Sequence, residues 1–276
     1  MTKRLLFCLA HPDDESFGSG PFIAKSVADG VEVSLICATN GDVGTVSPEK
    51  LGSYKSVSEL RSAELDCAAQ VLGFKDVIRF GYRDSGMMNS PDNKHPAALW
   101  QADEQVLRDQ IIEVIERLRP QVLVTFNKFG GYGHPDHIKI QRATVAAFNK
   151  MQGTPDAPQK LYYTAFPTAI LRMGVMMMRL SGRDPRRMGT NKDLDYMAVL
   201  ESVEPIHARV DVNAYYDIGQ QAAACHGSQS SPRNTFPFAR YWMRRAAGTA
   251  GFTRVEPPPQ VGQPVERDLF EGVKDV

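Results

Sequence analysis

An α/β fold on a mostly parallel sheet is predicted by three observations. Short runs of apolar and β-branched residues recur through residues 1–165 without clean period-two alternation, as strands buried on both faces do. Longer amphipathic stretches of helical period separate these runs. Polar clusters follow directly on four of the runs, which is where a parallel sheet gathers its ligand-binding loops.

Residues 5–10, Leu-Leu-Phe-Cys-Leu-Ala, read as a first strand, and 21–29 as a helix closed by Gly30. Residues 31–38 form a second strand. An amphipathic helix is expected over 57–72, with Leu60, Leu65, Ala68, Ala69 and Leu72 on one side and Gly73 as its stop. A third strand takes 77–80. Residues 103–118 are helical, with Val106, Leu107, Ile111, Ile112 and Ile115 on one stripe, and Pro120 ends them. Residues 122–126 are a fourth strand, 136–151 a helix and 161–166 a fifth strand. The result is a Rossmann-like catalytic core over 1–165, helices on both faces. Beyond 166 the pattern weakens, and 166–276 is expected to be a less regular extension of the same domain that completes the substrate pocket. Within it, Met173 to Met178 precede Arg179, Arg183, Arg186 and Arg187 without turn signals. Residues 215–225 look helical, 228–232 are polar punctuation, and the Pro-rich stretch 257–264 is expected to be extended.

Among 276 residues, Lys plus Arg number 32 and Asp plus Glu 32, so no broad cationic field serves nucleic acid or an anionic membrane. A hydrophobic share of 42% supplies a core and excludes disorder as the main state. No run reaches the ~18 apolar residues of a membrane span. The apolar run at 5–10 falls short of the ~7–15 residues of a signal-peptide core, so a buried strand and a cytoplasmic protein are expected. Cys8, Cys37, Cys67 and Cys225 form no CxxC pair and are expected as buried free thiols. A homo-oligomer is left open.

The first cluster holds His11, Asp13, Asp14 and Glu15. The second is Thr39-Asn40-Gly41-Asp42, the third Tyr82-Arg83-Asp84-Ser85-Gly86, and the fourth runs from Asn127 through His134-Pro135-Asp136-His137. His11 and Asp14, three apart across a strand-to-helix turn, can both point into the crevice. An imidazole from His134 or His137 would complete two nitrogens and one oxygen, the donor set of a catalytic zinc with a place left for water. Asp13 is then a spare carboxylate able to take a proton, and the second histidine of the pair can donate one or steady an oxyanion. A lone His-Pro-Asp is more often a turn with an Asx cap. Two such clusters at strand ends reverse that balance. Gly18-Ser19-Gly20 lacks the third glycine of a dinucleotide fingerprint, and neither a P-loop nor a Gly-x-Ser-x-Gly elbow occurs.

Ala10-His11-Pro12-Asp13-Asp14-Glu15 and Gly130-Gly131-Tyr132-Gly133-His134-Pro135-Asp136-His137 resemble the paired signatures of the LmbE/PIG-L family of zinc-dependent N-acetylglucosaminyl deacetylases. Residues 39–42, 61–64, 82–86 and 266–272 also fit, and the likeness is good over roughly 3–165. The resemblance implies His11, Asp14 and His137 as metal ligands and Asp13 as general base. It implies that His134, oriented by Asp136, assists the intermediate or the leaving amine, that Tyr132 stabilises the intermediate, and that Arg61 and Asp84 touch the sugar. The plainer readings are an ion pair with Glu64 for Arg61 and a turn cap before Gly86 for Asp84. Asn40 and Asp42 depart from the Asp-Gly-Glu of many relatives. The segment 173–187 has no counterpart, and Met176, Met177 and Met178 read as core filler. His226 is similar to a late motif of mycothiol-type members but reads as a satisfied structural histidine; His95 and His207 are assigned nothing.

The expectation is a hydrolase that removes an N-acetyl or other N-acyl group from a small glucosamine-containing molecule, using Zn2+ in preference to Fe2+, which the same donors accept. A rival is an amidase for a mycothiol-type conjugate, with a larger acyl pocket from 166–240. A rival of another class is a metal- and sugar-binding protein without turnover, for which Asp13 would have no use.

Overall fold

The computed structural model describes residues 2–165, 168–189, 192–229, 244 and 248–274. Strands β1 (Arg4–Leu9), β2 (Glu32–Thr39), β3 (Asp76–Tyr82), β4 (Val122–Thr125), β5 (Lys160–Ala165), β6 (Ala208–Asp211) and β7 (Thr249–Glu256) form one sheet of order β3-β2-β1-β4-β5-β7-β6. The first five run parallel, as expected. β1, β2 and β4 are almost wholly buried because helices cover both faces, which explains their unbroken apolar runs. β3, at the sheet edge, is half-buried and extends beyond the expected 77–80 at both ends.

β7 pairs antiparallel with β5, and β6 antiparallel with β7. Neither strand is expected from the sequence, because Ala208–Asp211 is short and Thr249–Glu256 opens on Thr-Ala-Gly. Behind them lies a buried charge network. Glu266 Oε1 accepts from Lys160 Nζ at 2.7 Å and Arg254 Nη1 at 2.6 Å, and Oε2 accepts from the Tyr162 hydroxyl at 2.6 Å. It ties the terminal segment to β5 and β7.

The helices between strands are α1 (Gly20–Ala28), the single turn α2 (Pro48–Leu51), α3 (Val57–Leu72), α4 (Glu104–Leu118), the irregular turn α5 (Gly130–Gly133) and α6 (Pro135–Met151). α3 spans the expected residues, with Ser56 accepting Glu59 N–H at its start and Gly73 left-handed at its end. α7 (Thr168–Leu180), α8 (Tyr196–Glu201) and α9 (Tyr216–Cys225) follow. α7 takes up the methionine run, but Met176 and Met177 are more than half exposed, so they are not core filler. Of the polar punctuation expected at 228–232, residues 230–232 lie outside the described residues. Among the described residues, no helix is long and apolar enough to cross a membrane.

The four cysteines correct a second expectation. Cys67 on α3 and Cys225 at the end of α9 are joined in a disulfide across 158 residues, while Cys8 and Cys37 are buried free thiols. The packing of α9 on α3 sets that pairing, and spacing along the chain carries no trace of it. Burial pushes the Cys8 thiol up to about 12 and raises Cys37 as well, so neither reacts in the native fold. Thiol titration is therefore expected to find none in the native protein, two after denaturation, and four after denaturation with reductant. Four without reductant would remove the Cys67–Cys225 bond from the solution structure.

Candidate metal centre and active site

Strand order reverses between β1 and β4, so their carboxyl ends open a crevice side by side. β1 leads into residues 10–15, where Asp13 adopts φ 133°, a conformation that costs a non-glycine residue about 1–3 kcal/mol. β4 leads into α5 and α6. Gly130 has φ 69°, and a Cβ there would lie 2.8 Å from Ile138 Cγ1, so only glycine lets this loop lie so close to α6. His134 caps α6, its Nδ1 accepting the Asp136 backbone N–H at 3.2 Å. His137 lies in the first turn, its ring stacked on Phe126 at 3.8 Å.

Hydrogen bonds set which imidazole nitrogens are bare. His137 Nδ1 faces the carbonyl of Gly130 at 3.1 Å and His11 Nε2 faces Asp136 Oδ2 at 3.1 Å; both partners only accept, so these nitrogens carry protons. Their other nitrogens, His11 Nδ1 and His137 Nε2, stand 3.1 Å apart. Asp14 completes the group, with Oδ2 at 3.5 Å from His11 Nδ1 and Oδ1 at 3.3 Å from His137 Nε2. Lone pairs of three side chains thus converge on a place that calls for positive charge. Burial alone would lower His11, but Asp84, Asp136 and Asp14 outweigh it and hold the imidazole well above its ordinary value. Burial would raise Asp14, yet His137 and His11 hold it well below the usual carboxylate range. Bonds of ~2.0–2.2 Å at tetrahedral angles place ligand atoms roughly 3.3–3.6 Å apart, so the donor set fits a small divalent cation. His134 approaches the same place, and among the described residues His11, His134 and His137 form one group of metal-competent atoms; His11, Asp84, His134 and Asp136 form another.

The remaining predicted residues surround this centre. Asp13 is partly buried; burial pushes its carboxyl up to about 7 against the opposing charge of Arg61. Arg61, on α3, is buried and donates to Asp13 Oδ2 at 2.9 Å, to Pro12 O at 2.5 Å and to Gly41 O at 3.0 Å. Its pairing is therefore with Asp13, and Glu64 instead accepts from Ser228 N–H and Oγ at 2.6 Å each. Asp136 also differs from expectation. Its carboxylate lies 4.0 Å from His134 Nδ1 but 3.1 Å from His11 Nε2, so it orients His11, and only its backbone orients His134. Ser85 holds that carboxylate through its N–H at 2.9 Å and through its hydroxyl. Asp84 caps Gly86 N–H at 2.8 Å and also faces His11 and His134, which hold it below the carboxylate range although burial opposes them. Tyr132 stands edge-on to His134 and His137 at the mouth. Burial and the neighbouring His11 and His137 depress His134; with Nδ1 accepting, its proton sits on Nε2. Asp42 bonds Arg83 and Asp84 N–H, and Asn40 bonds Gly81 O, so both shape the third loop.

These groups open into a pocket of about 450 Å³ that His11, Asp13, Arg61, Asp84, Tyr132 and His134 share with residues 87–90. Residues 6–148 match the family model described as PIG-L: GlcNAc-PI de-N-acetylase. The chain belongs to the PIG-L family. A 1D-myo-inositol 2-acetamido-2-deoxy-alpha-D-glucopyranoside deacetylase of Thermobifida fusca is 34% identical over 97% of this chain and 99% of its own. Among solved structures, N,N'-diacetylchitobiose deacetylase of Pyrococcus horikoshii matches with TM-score 0.61 at 18% identity, over 94% of this chain and 88% of that one. The fold alone does not choose the reaction, since the 4-carboxy-2-hydroxymuconate hydratase GalB of Pseudomonas putida KT2440 also matches at 0.61, with 16% identity over 95% and 100% of the two chains.

The Ser85–Asp136–His11 chain yields a prediction for this PIG-L member. Asp136→Ala is expected to weaken the affinity of the His/Asp cluster for an added divalent metal about 10–100-fold in a competition with a chromophoric chelator. Parent-like affinity would show that the His11 tautomer needs no such support.

Proposed function

We propose that this chain removes the N-acetyl group from a small N-acetylglucosaminide with the help of one zinc ion held by His11, Asp14 and His137. The observation that carries the reading is Asp13, a carboxylate at the pocket wall beside the donor set, taking no place in it and held by Arg61. A pure binder has no use for such a group. The name of the Thermobifida fusca relative favours a glucosaminide joined to a cyclitol.

The zinc supplies Lewis-acid polarisation of the amide carbonyl and a more acidic water. Asp13 takes a proton from the attacking water, and Arg61 keeps its carboxylate aimed and ionised. His134, neutral with its proton on Nε2, donates to the oxygen that gains charge as the carbonyl is attacked. Tyr132 assists there from the mouth. Asp13 then returns its proton to the departing amine nitrogen as the C–N bond breaks. Asp84 accepts from a sugar hydroxyl. From 166–240, Asp193 and Gln229 reach the pocket among the described residues. Our reading sets this work in the cytoplasm, a compartment in which disulfides such as Cys67–Cys225 are uncommon.

Acetate and primary-amine release from a panel of N-acetylglucosaminides tests the reading. The zinc-loaded parent should release both, and Asp13→Ala should keep its zinc but lose at least about 10²–10⁴-fold in kcat. Turnover by Asp13→Ala at the parent rate would remove Asp13 as base, and zinc-loaded parent that released nothing from the whole panel would count against the deacetylase itself. A pH profile examines Arg61. Asp13 works ionised, so activity falls as pH drops through its pKa, and the Arg61 cation lowers that pKa. Arg61→Gln should therefore move the acid limb of kcat/KM to higher pH; an unmoved limb would uncouple the two residues.

A further inference from the structure

Two side chains outside the pocket remain unexplained by this chemistry. Glu15 and His226 are fully buried, and neither lines the pocket. His226 Nε2 donates to Glu15 Oε1 at 2.6 Å, and Ser16 Oγ donates to the same oxygen at 2.5 Å. The other oxygen, Oε2, accepts the backbone N–H of Asp13 at 2.9 Å. That N–H belongs to the residue at φ 133°. The buried pair therefore reaches the site through the amide of the strained residue.

His226 follows α9 directly, and three ties hold its segment in place: the Cys67–Cys225 disulfide, the Glu64–Ser228 bonds, and His226 on Glu15. Arg61, Glu64 and Cys67 recur at three-residue intervals on α3, so one helix face grips both the Asp13 carboxylate and the segment that carries His226. Asp13 is thus fixed twice, its side chain by Arg61 and its backbone by Glu15.

We propose that Glu15 and His226 are positioning residues that hold Asp13 in its strained conformation from behind the site. The proposal rests on the reading of Asp13 as the base. A purely structural role is the competing account: a buried carboxylate needs partners, and removing His226 alone would strip Glu15 of its imidazole and endanger folding. A paired substitution separates the two. Glu15→Leu together with His226→Leu buries no charge, yet it still deprives the Asp13 amide of its acceptor.

Three zinc-loaded variants should be compared with the parent: His226→Leu, His226→Gln and the double leucine variant. Zinc content, melting temperature, kcat and KM are measured for each. The double variant should fold, keep its zinc and lose about 10–100-fold in kcat with KM little changed. His226→Gln retains a donor toward Glu15 and should recover most of the loss seen with His226→Leu. A double variant with parent kcat would overturn the proposal. Crystal structures of parent and double variant decide it independently of any substrate: Asp13 should leave its positive φ in the variant, and an unchanged φ would overturn the proposal even if the parent deacetylates nothing.

Discussion

Three lone pairs cannot share a small space without positive charge between them. His11 Nδ1, His137 Nε2 and the Asp14 carboxylate are held in that situation, and much of the surrounding polar structure serves to keep them there. The Gly130 carbonyl fixes one tautomer and the Asp136 carboxylate the other. Ser85 in turn fixes Asp136. Were either ring free to turn, it would present an N–H to the centre and remove the demand for a cation. The site is therefore defined as much by its outer hydrogen bonds as by its three inner atoms.

The sheet makes this arrangement possible. β1 and β4 are neighbours although more than a hundred residues separate them in sequence, and their exits diverge to opposite sides of the reversal. The first exit supplies the donor pair His11 and Asp14 with Asp13 between them. The second supplies a helix N-terminus whose cap is His134, placing an imidazole beside the positive end of the helix dipole, where the neutral form is favoured. A neutral donor and a carboxylate of raised pKa suit proton transfer near neutrality better than two fully ionised groups would.

The parallel core is legible in the sequence because burial on both faces leaves uninterrupted apolar runs, and the site because chemically distinctive residues follow four of them. What escapes is whatever depends on partners far along the chain. Arg61 could meet several carboxylates; that it meets Asp13 follows from how α3 packs, not from its neighbours Glu59 and Glu64. Asp136 sits beside His134 in sequence but turns its carboxylate to His11. Cys67 and Cys225 carry no spacing signal, and β6 and β7 are too short or too polar to declare themselves. Glu15 lies inside a motif and His226 near another, yet only their contact gives either a role.

Three of these gaps share a direction: the Cys67–Cys225 bond, the pair β6 and β7, and the Glu15–His226 contact concern how the later third of the chain supports the earlier two thirds. That support is mostly positional. The Glu266 cluster pairs two buried cations with one carboxylate, an arrangement in which losing Glu266 strands both charges, so it specifies where the terminal segment must lie. The segment after α9 does the same nearer the site, with a disulfide, a bidentate Glu64 contact and a buried histidine within four residues. The pocket side chains can then reside on short loops of the first 140 residues, where strain such as that at Asp13 persists only because other elements over-determine it. On this account the C-terminal part serves the site through its few buried anchors, while the methionines of α7 stand exposed and take no part in that support.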